Sequence, residues 1–195
     1  LYIVSSFAEQ FFIDTLHHSE EGKSIGLSYF KERGFSEHTV QKFRLGYSPN
    51  EWDALLKAAL EKGYKPEYLE KTGLVKIKSN SSGKQELPTT GYQPAFAERS
   101  TASAGRLPTH NYYDGFRGRV MFPIHNLSGR VIGFGGRVLK KDEKTAKYIN
   151  TPECDIYHKS KTLYGIYFAK KAIIEKDNCY LVEGYTDVIS LHQSG

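Results

Sequence analysis

The sequence predicts an α+β fold: a helical N-terminal part, a small antiparallel sheet built on a hairpin, and then the first β–α unit of an α/β layer. Three observations carry that prediction. Apolar residues recur at helical spacing through the first third of the chain, punctuated by Gly34, Gly63 and Gly73. Two strand-like runs, residues 119–125 and 130–138, flank a short turn containing Gly129. From Thr162 onward a helix, a short apolar strand, a turn and a second helix follow in that order.

Taken in order, Ser5 or Ser6 caps a helix running to about Leu16, with Phe7, Phe11, Phe12 and Leu16 on one face. Residues 25–33 form a second helix carrying Leu27, Tyr29 and Phe30, and Gly34 stops it. Ser36 starts a short helix to about Phe43. Asn50 caps a helix over 51–62, whose Trp52, Leu55, Leu56 and Ala59 share a face, and Pro66 opens another to about Lys71. Alternation with period two makes residues 74–78 a strand. Residues 79–113, rich in Ser, Thr, Pro and Gly and without a sustained period, read as a long surface excursion. In the second strand of the hairpin, Gly133, Gly135 and Gly136 mark a bulge or a close backbone approach. Residues 162–176 carry Leu163, Ile166, Tyr167, Ala169, Ala172 and Ile173 as a helix. Cys179-Tyr180-Leu181-Val182 reads as a strand, Glu183-Gly184-Tyr185 as the turn leaving it, and 186–192 as the start of a helix.

A chain of 195 residues holds one domain, or one domain and a fragment of another. With 39% hydrophobic and 13% aromatic residues it can pack a core, which excludes global disorder. The net charge is +5, and it is concentrated: residues 114–171 hold twelve Lys and Arg against five Asp and Glu, a surplus of seven that leaves −2 for the rest. A basic stretch on a nearly neutral body suits a polyanionic partner, and a solvated charged face equally. Cys154 and Cys179 have no ligand spacing, which excludes a disulfide scaffold or a zinc module and fits a reducing cytoplasm. No apolar run approaches the roughly 20 residues of a membrane span. The opening residues do not make a signal-peptide core, and position 1 is Leu rather than Met, so the chain reads as a piece of something longer.

Three groups of residues could carry chemistry. Glu183 ends a strand and precedes Gly184, where open α/β sheets place ligands, and Asp187 lies one turn on; both equally fit the favourable N-terminal end of a helix. Lys147, Tyr148, Asn150, Thr151 and Lys159 mix cations, amide and hydroxyl donors and an aromatic ring, a set that meets phosphates, sugars and bases, or makes an ordinary loop. Arg137, flanked by glycines, could reach a phosphodiester backbone, or be a surface arginine; the glycine run itself lacks the pattern of a P-loop. The seven histidines show no metal-ligand spacing.

The order of the motifs is more informative than any one of them. Arg119-Val120-Met121-Phe122-Pro123-Ile124, Gly129 through Val138, Lys147-Tyr148-Ile149-Asn150-Thr151-Pro152-Glu153, His158-Lys159 and Val182-Glu183-Gly184-Tyr185-Thr186-Asp187-Val188 together closely resemble the bacterial DnaG-type primase family. Tyr29-Phe30-Lys31-Glu32-Arg33-Gly34 and Phe43-Arg44-Leu45-Gly46-Tyr47 extend the resemblance upstream, so that it covers the chain from about Ala8 to its end.

The resemblance implies residues 1–176 as the N-terminal subdomain of a primase catalytic core and 177–195 as the start of a Toprim domain, so that the final β–α unit opens a Toprim α/β layer. It implies a DNA-directed RNA polymerase making short RNA primers on a single-stranded DNA template from ribonucleoside triphosphates. Glu183 is then catalytic and a ligand of Mg2+ or Mn2+, with the partner aspartates lying beyond these residues. Arg33, Arg137, Lys147, Tyr148, Asn150 and Lys159 line the template and nucleotide groove, with Arg117 and Arg119 as further contributors. Zinc belongs to a separate module, the replicative helicase is met through another domain, and the cytoplasmic bacterial replisome is the setting. The isolated chain is expected not to synthesise primers. The competing expectations are a non-catalytic platform for single-stranded DNA and another Toprim enzyme, a topoisomerase or nuclease. Residues 79–113 exceed the family's usual connection at that point.

Overall fold

The computed structural model describes residues 1–78, 112–139 and 146–195. Helix α1, Tyr2–His18, starts ahead of the Ser5 or Ser6 cap expected from sequence, and Ser5 is buried in its body. The expected helix over 25–33 is a π-helical turn, Gly22–Leu27, running into α2, Ser28–Glu32. The π turn lets Gly22 lie against α1, where a Cβ would stand 2.0 Å from the Thr15 carbonyl oxygen. Ser36 caps α3, Glu37–Lys42, by accepting a hydrogen bond from the Thr39 amide at 3.1 Å. Helices α4, Ala54–Glu61, and α5, Pro66–Lys71, follow. Asn50 does not cap α4. The carboxylate of Asp114, buried and distant in sequence, accepts from the Leu55 and Leu56 amides at 2.8 and 3.1 Å instead.

Two antiparallel sheets complete the body. The larger has the order β1-β4-β5-β6, from Gly46–Ser48, Arg119–His125, Val131–Val138 and Tyr148–Asn150. The smaller pairs β2, Val75–Ile77, with β3, Tyr112–Asp114. The hairpin β4–β5 is where sequence reasoning put it. Strands β1, β3 and β6 were not foreseen, and β3 takes the last two residues of the expected excursion; its remainder, 79–111, lies outside the described residues.

All seven residues of β4 are buried, because both faces of the sheet are covered. Met121 and Phe134 join Phe12, Leu55, Leu56 and Leu69 on one side. Val120 and Phe122 join Leu16, Phe30, Phe43 and Ile189 on the other. The register pairs Val120 with Arg137 and Arg119 with Val138, so the two arginines point to opposite faces.

The C-terminal segment departs most from expectation. Helix α6, Ile166–Lys176, begins after Gly165 in left-handed geometry rather than at Thr162, and α7 spans Tyr185–Ser194. Cys179–Val182 forms no strand: it pairs with nothing among the described residues, and Tyr180 and Leu181 stand about four-fifths exposed, at 79% and 82%. A strand of an α/β layer exists through its ladder neighbours, and none of the described strands runs beside it. Helix α7, by contrast, is seated in the core through Ile189. At its far end the Gln193 side chain accepts from the Ser36 amide at 2.8 Å and the Thr39 hydroxyl at 2.6 Å, and donates to the Gly34 carbonyl at 2.9 Å.

Candidate nucleic-acid interface

Tyr148, Asn150, Lys159 and Glu183 are among the residues lining one open groove of about 1240 Å3, which runs from β6 along α6 and residues 178–184 to α7. Each wall has a local cause. Thr151 folds the chain after β6 onto β5: its buried hydroxyl accepts from the Phe134 amide at 2.9 Å, and its own amide donates to the Phe134 carbonyl at 2.9 Å. The Thr151 hydroxyl is therefore committed to the fold, against the expectation that it meets phosphate or sugar. Lys159 is aimed by Glu153, whose carboxylate accepts from the Lys159 amide at 2.7 Å and meets His158 Nδ1 at 3.1 Å. Those hydrogen bonds hold the Glu153 carboxyl below the usual range. Glu183 is exposed in the same groove, and Asp187 lies in the first turn of α7, close over the Gly184 backbone.

A chain of stacked cations and rings leads away from Tyr148. The Arg137 guanidinium lies 5.4 Å from the Tyr148 ring and 4.8 Å from the Tyr29 ring, and donates to the Tyr29 hydroxyl. Arg33 covers the Tyr29 ring at 5.6 Å. Burial raises the Tyr29 hydroxyl above the ordinary tyrosine range against the opposing pull of Arg137 and Arg33, so it stays protonated at neutral pH. Arg137 Nε is buried with no partner among the described residues, a donor available to an acceptor from outside. The sequence places Tyr29 on the 25–33 helix and gives no sign of its contact with Arg137.

Arg119 and Arg117 part company. Arg119 is buried and donates to the backbone carbonyls of Gly136, Lys147 and Ala146 at 3.4, 3.3 and 2.9 Å. It holds the segment that presents Lys147, whose side chain is exposed, and it does not itself reach the surface. Arg117 stacks on Trp52 at 3.9 Å and stands 5.5 Å from Tyr113, with Lys78 on Trp52 at 5.3 Å. This second cation–aromatic cluster was not foreseen. Trp52 had been read as part of a helix face, but it precedes α4 and is 47% exposed.

Among the described residues no three or more of His, Cys, Asp and Glu gather as a metal site, and no helix is long and apolar enough to cross a membrane. Glu183 and Asp187 offer two exposed carboxylates near the start of α7, the kind of oxygen donor that Mg2+ takes alongside water and substrate phosphate.

Comparison with known proteins agrees along the whole chain. The family described as DNA primase catalytic core, N-terminal domain, matches residues 11–89 and 78–170. The DNA primase of Synechococcus elongatus is 38% identical over 197 residues, covering 100% of this chain and 24% of that protein. The RNA polymerase domain of Mycobacterium tuberculosis primase DnaG superimposes with a TM-score of 0.79 at 31% identity, over 99% of this chain and 52% of that one. A DnaG primase catalytic domain bound to single-stranded DNA gives 0.74 at 34% identity, over 98% and 50%. The chain thus spans about a quarter of the length of such a curated relative, and it belongs to the family of DNA primase catalytic cores, within their N-terminal domain.

Proposed function

We propose that this chain supplies the template and nucleotide groove, together with one catalytic carboxylate, of a bacterial DNA primase that joins ribonucleotides into RNA primers on single-stranded DNA. The observation that carries the reading is that Tyr148, Asn150, Lys159 and Glu183 line one open groove. Arg33, Arg137, Lys147 and Lys159 offset phosphate charge, Tyr148 stacks on a base, and Asn150 completes the wall. The Trp52–Arg117–Lys78 cluster is a second contact for the DNA strand, outside the groove. Arg119 acts indirectly, by fixing the backbone at Lys147.

The reaction of the parent is nucleotidyl transfer: a 3′ hydroxyl attacks the α-phosphate of the incoming ribonucleotide, and pyrophosphate leaves. Glu183 holds or accepts a proton at that step and offers one carboxylate to Mg2+ or Mn2+. A divalent ion, held in part by Glu183, would supply charge stabilisation to the phosphoryl group undergoing transfer. By the family resemblance the partner carboxylates come from other residues of the parent, and the isolated chain is expected to bind DNA without turnover. Residues 1–176 form the subdomain that carries the groove, and 177–195 open the Toprim domain. Zinc and the replicative helicase belong to other regions of the parent, which works in the bacterial cytoplasm.

Fluorescence anisotropy of labelled single-stranded DNA over a salt series tests the groove. Wild-type binding weakens with salt, and an Arg137→Ala, Lys147→Ala, Lys159→Ala triple variant loses most of it, with a salt slope shallower by roughly 2–3, about one per lost phosphate contact. Equal binding by the two proteins sinks the assignment. In the full-length primase, Glu183→Ala abolishes primer synthesis while DNA affinity is retained.

A further inference from the structure

Tyr185 lies two residues beyond Glu183, at the first position of α7, and it is fixed on every side. Its hydroxyl donates to Asn150 Oδ1 at 2.7 Å. Its ring stacks on Phe122 at 5.3 Å with an interplanar angle of 17°, and meets Tyr164 edge-on at 4.6 Å. The strand leaves room for it: a Cβ at Gly135 would stand 2.4 Å from the Tyr185 ring. Burial pushes the Tyr185 hydroxyl far above the ordinary tyrosine range, so it remains a donor at every pH the protein meets. Gly135 pairs with Asn150 across β5 and β6, so the glycine and the amide grip the same ring and hydroxyl from one register position.

We propose that Tyr185, through Asn150, is a positioning residue that fixes the backbone turn carrying Glu183 against β6. The geometry gives it that reach. Asn150 sits on the wall that carries Tyr148, Tyr185 follows the turn that carries Glu183, and the hydrogen bond between them ties the two walls together. Only Gly184 separates Glu183 from Tyr185, so a slack Tyr185 frees the turn from which the carboxylate projects. Placement matters in nucleotidyl transfer, where about an ångström of error can lower the rate by roughly a hundredfold. This inference rests on the catalytic reading of Glu183.

The test uses the full-length primase with Tyr185→Phe, which keeps the ring and removes the hydroxyl, Asn150→Ala, and the double variant, beside Glu183→Gln. Steady-state primer synthesis gives kcat and KM for ribonucleotides, anisotropy gives Kd for single-stranded DNA, and thermal melting reports the fold. Each single variant lowers kcat by about tenfold, Tyr185→Phe leaves KM and Kd within about twofold of wild type, and the double variant has a kcat no lower than either single. Wild-type kcat in both singles, with Glu183→Gln inactive, overturns the positioning role and leaves the carboxylate reading standing. Activity retained in Glu183→Gln overturns the carboxylate reading, and the positioning role with it. Additive losses, or losses in KM and Kd rather than kcat, also overturn the proposal, because they mean independent or substrate-contacting roles. Should Tyr185→Phe melt early, Asn150→Ala decides alone: an unchanged kcat there counts against the proposal.

Discussion

The cluster around Arg137 and the cluster around Arg117 use the same ingredients and distribute them differently. In the first, Tyr29 is 8% exposed and grips the guanidinium with both its ring and its hydroxyl. In the second, the ring is the exposed partner: Trp52 is 47% exposed, with Arg117 and Lys78 stacked on it. One arrangement buries an aromatic ring to hold a cation still; the other fixes a backbone to hold an aromatic ring in solvent. The backbone support of the second comes from Asp114, whose amide donates to the Trp52 carbonyl at 2.9 Å and whose carboxylate caps α4. Aromatic content alone says nothing of this division; burial decides which member of the pair faces a ligand.

The comparison can be pressed hardest at Asp114. Burial drives its carboxyl up to about 7, against the lowering effect of the two helix amides. An acid whose folded pKa is raised lends stability below its unfolded value near 3.8 and loses it as pH climbs through about 7. Thermal melts should therefore show stability falling between pH 4 and 7, by something on the order of 4 kcal/mol from this group. Asp114→Asn should flatten that slope while lowering the baseline by about 1–3 kcal/mol, since its amide nitrogen cannot accept from the helix. A slope unchanged in the variant would detach the second cluster from its proposed support.

The next effect is expected at Tyr29. Tyr29→Leu keeps apolar bulk and removes the ring face and hydroxyl that hold Arg137, and single-stranded DNA affinity should fall by about tenfold. Anisotropy at fixed salt reads this directly, and wild-type affinity would mean that Arg137 needs no support. Smaller again is Trp52→Ala, which should weaken DNA binding about fivefold with little change in melting temperature, because the ring is exposed. The least change is expected of Arg117→Lys, which keeps the charge but not the planar stack: a loss of about twofold in the same titration.

What the sequence made legible was what is local or long. The Ser36 cap, the Pro66 start and the β4–β5 hairpin are all signalled within a few residues of where they act. Strands β1, β3 and β6 have three residues each, too few to show a period. The α4 cap escaped notice because Asp114 reaches it from another sheet. Arg119 entered the groove through the family resemblance, and a strand with both faces buried offers no alternation that would have marked it as inside. Of the residues expected in the groove, Tyr148, Asn150, Lys159 and Glu183 line it, whereas Arg33, Arg137 and Lys147 are not among its lining residues. Tyr29, Trp52 and Tyr185 were not foreseen as functional, since an aromatic ring in a helix or turn carries no local mark of what lies on its face.

Gln193 gives α7 a second anchorage, at the end away from Tyr185. In mechanical terms the helix is a strut braced at both ends, against β6 at one and against the α2–α3 turn at the other. That turn carries Arg33 beside Gly34, so the cationic arm of the interface and the carboxylate turn sit at the two ends of one rigid member. Any shift that widened the groove at Glu183 would drag on the turn beside Arg33, and the distance between them acts as a fixed gauge rather than an adjustable gap.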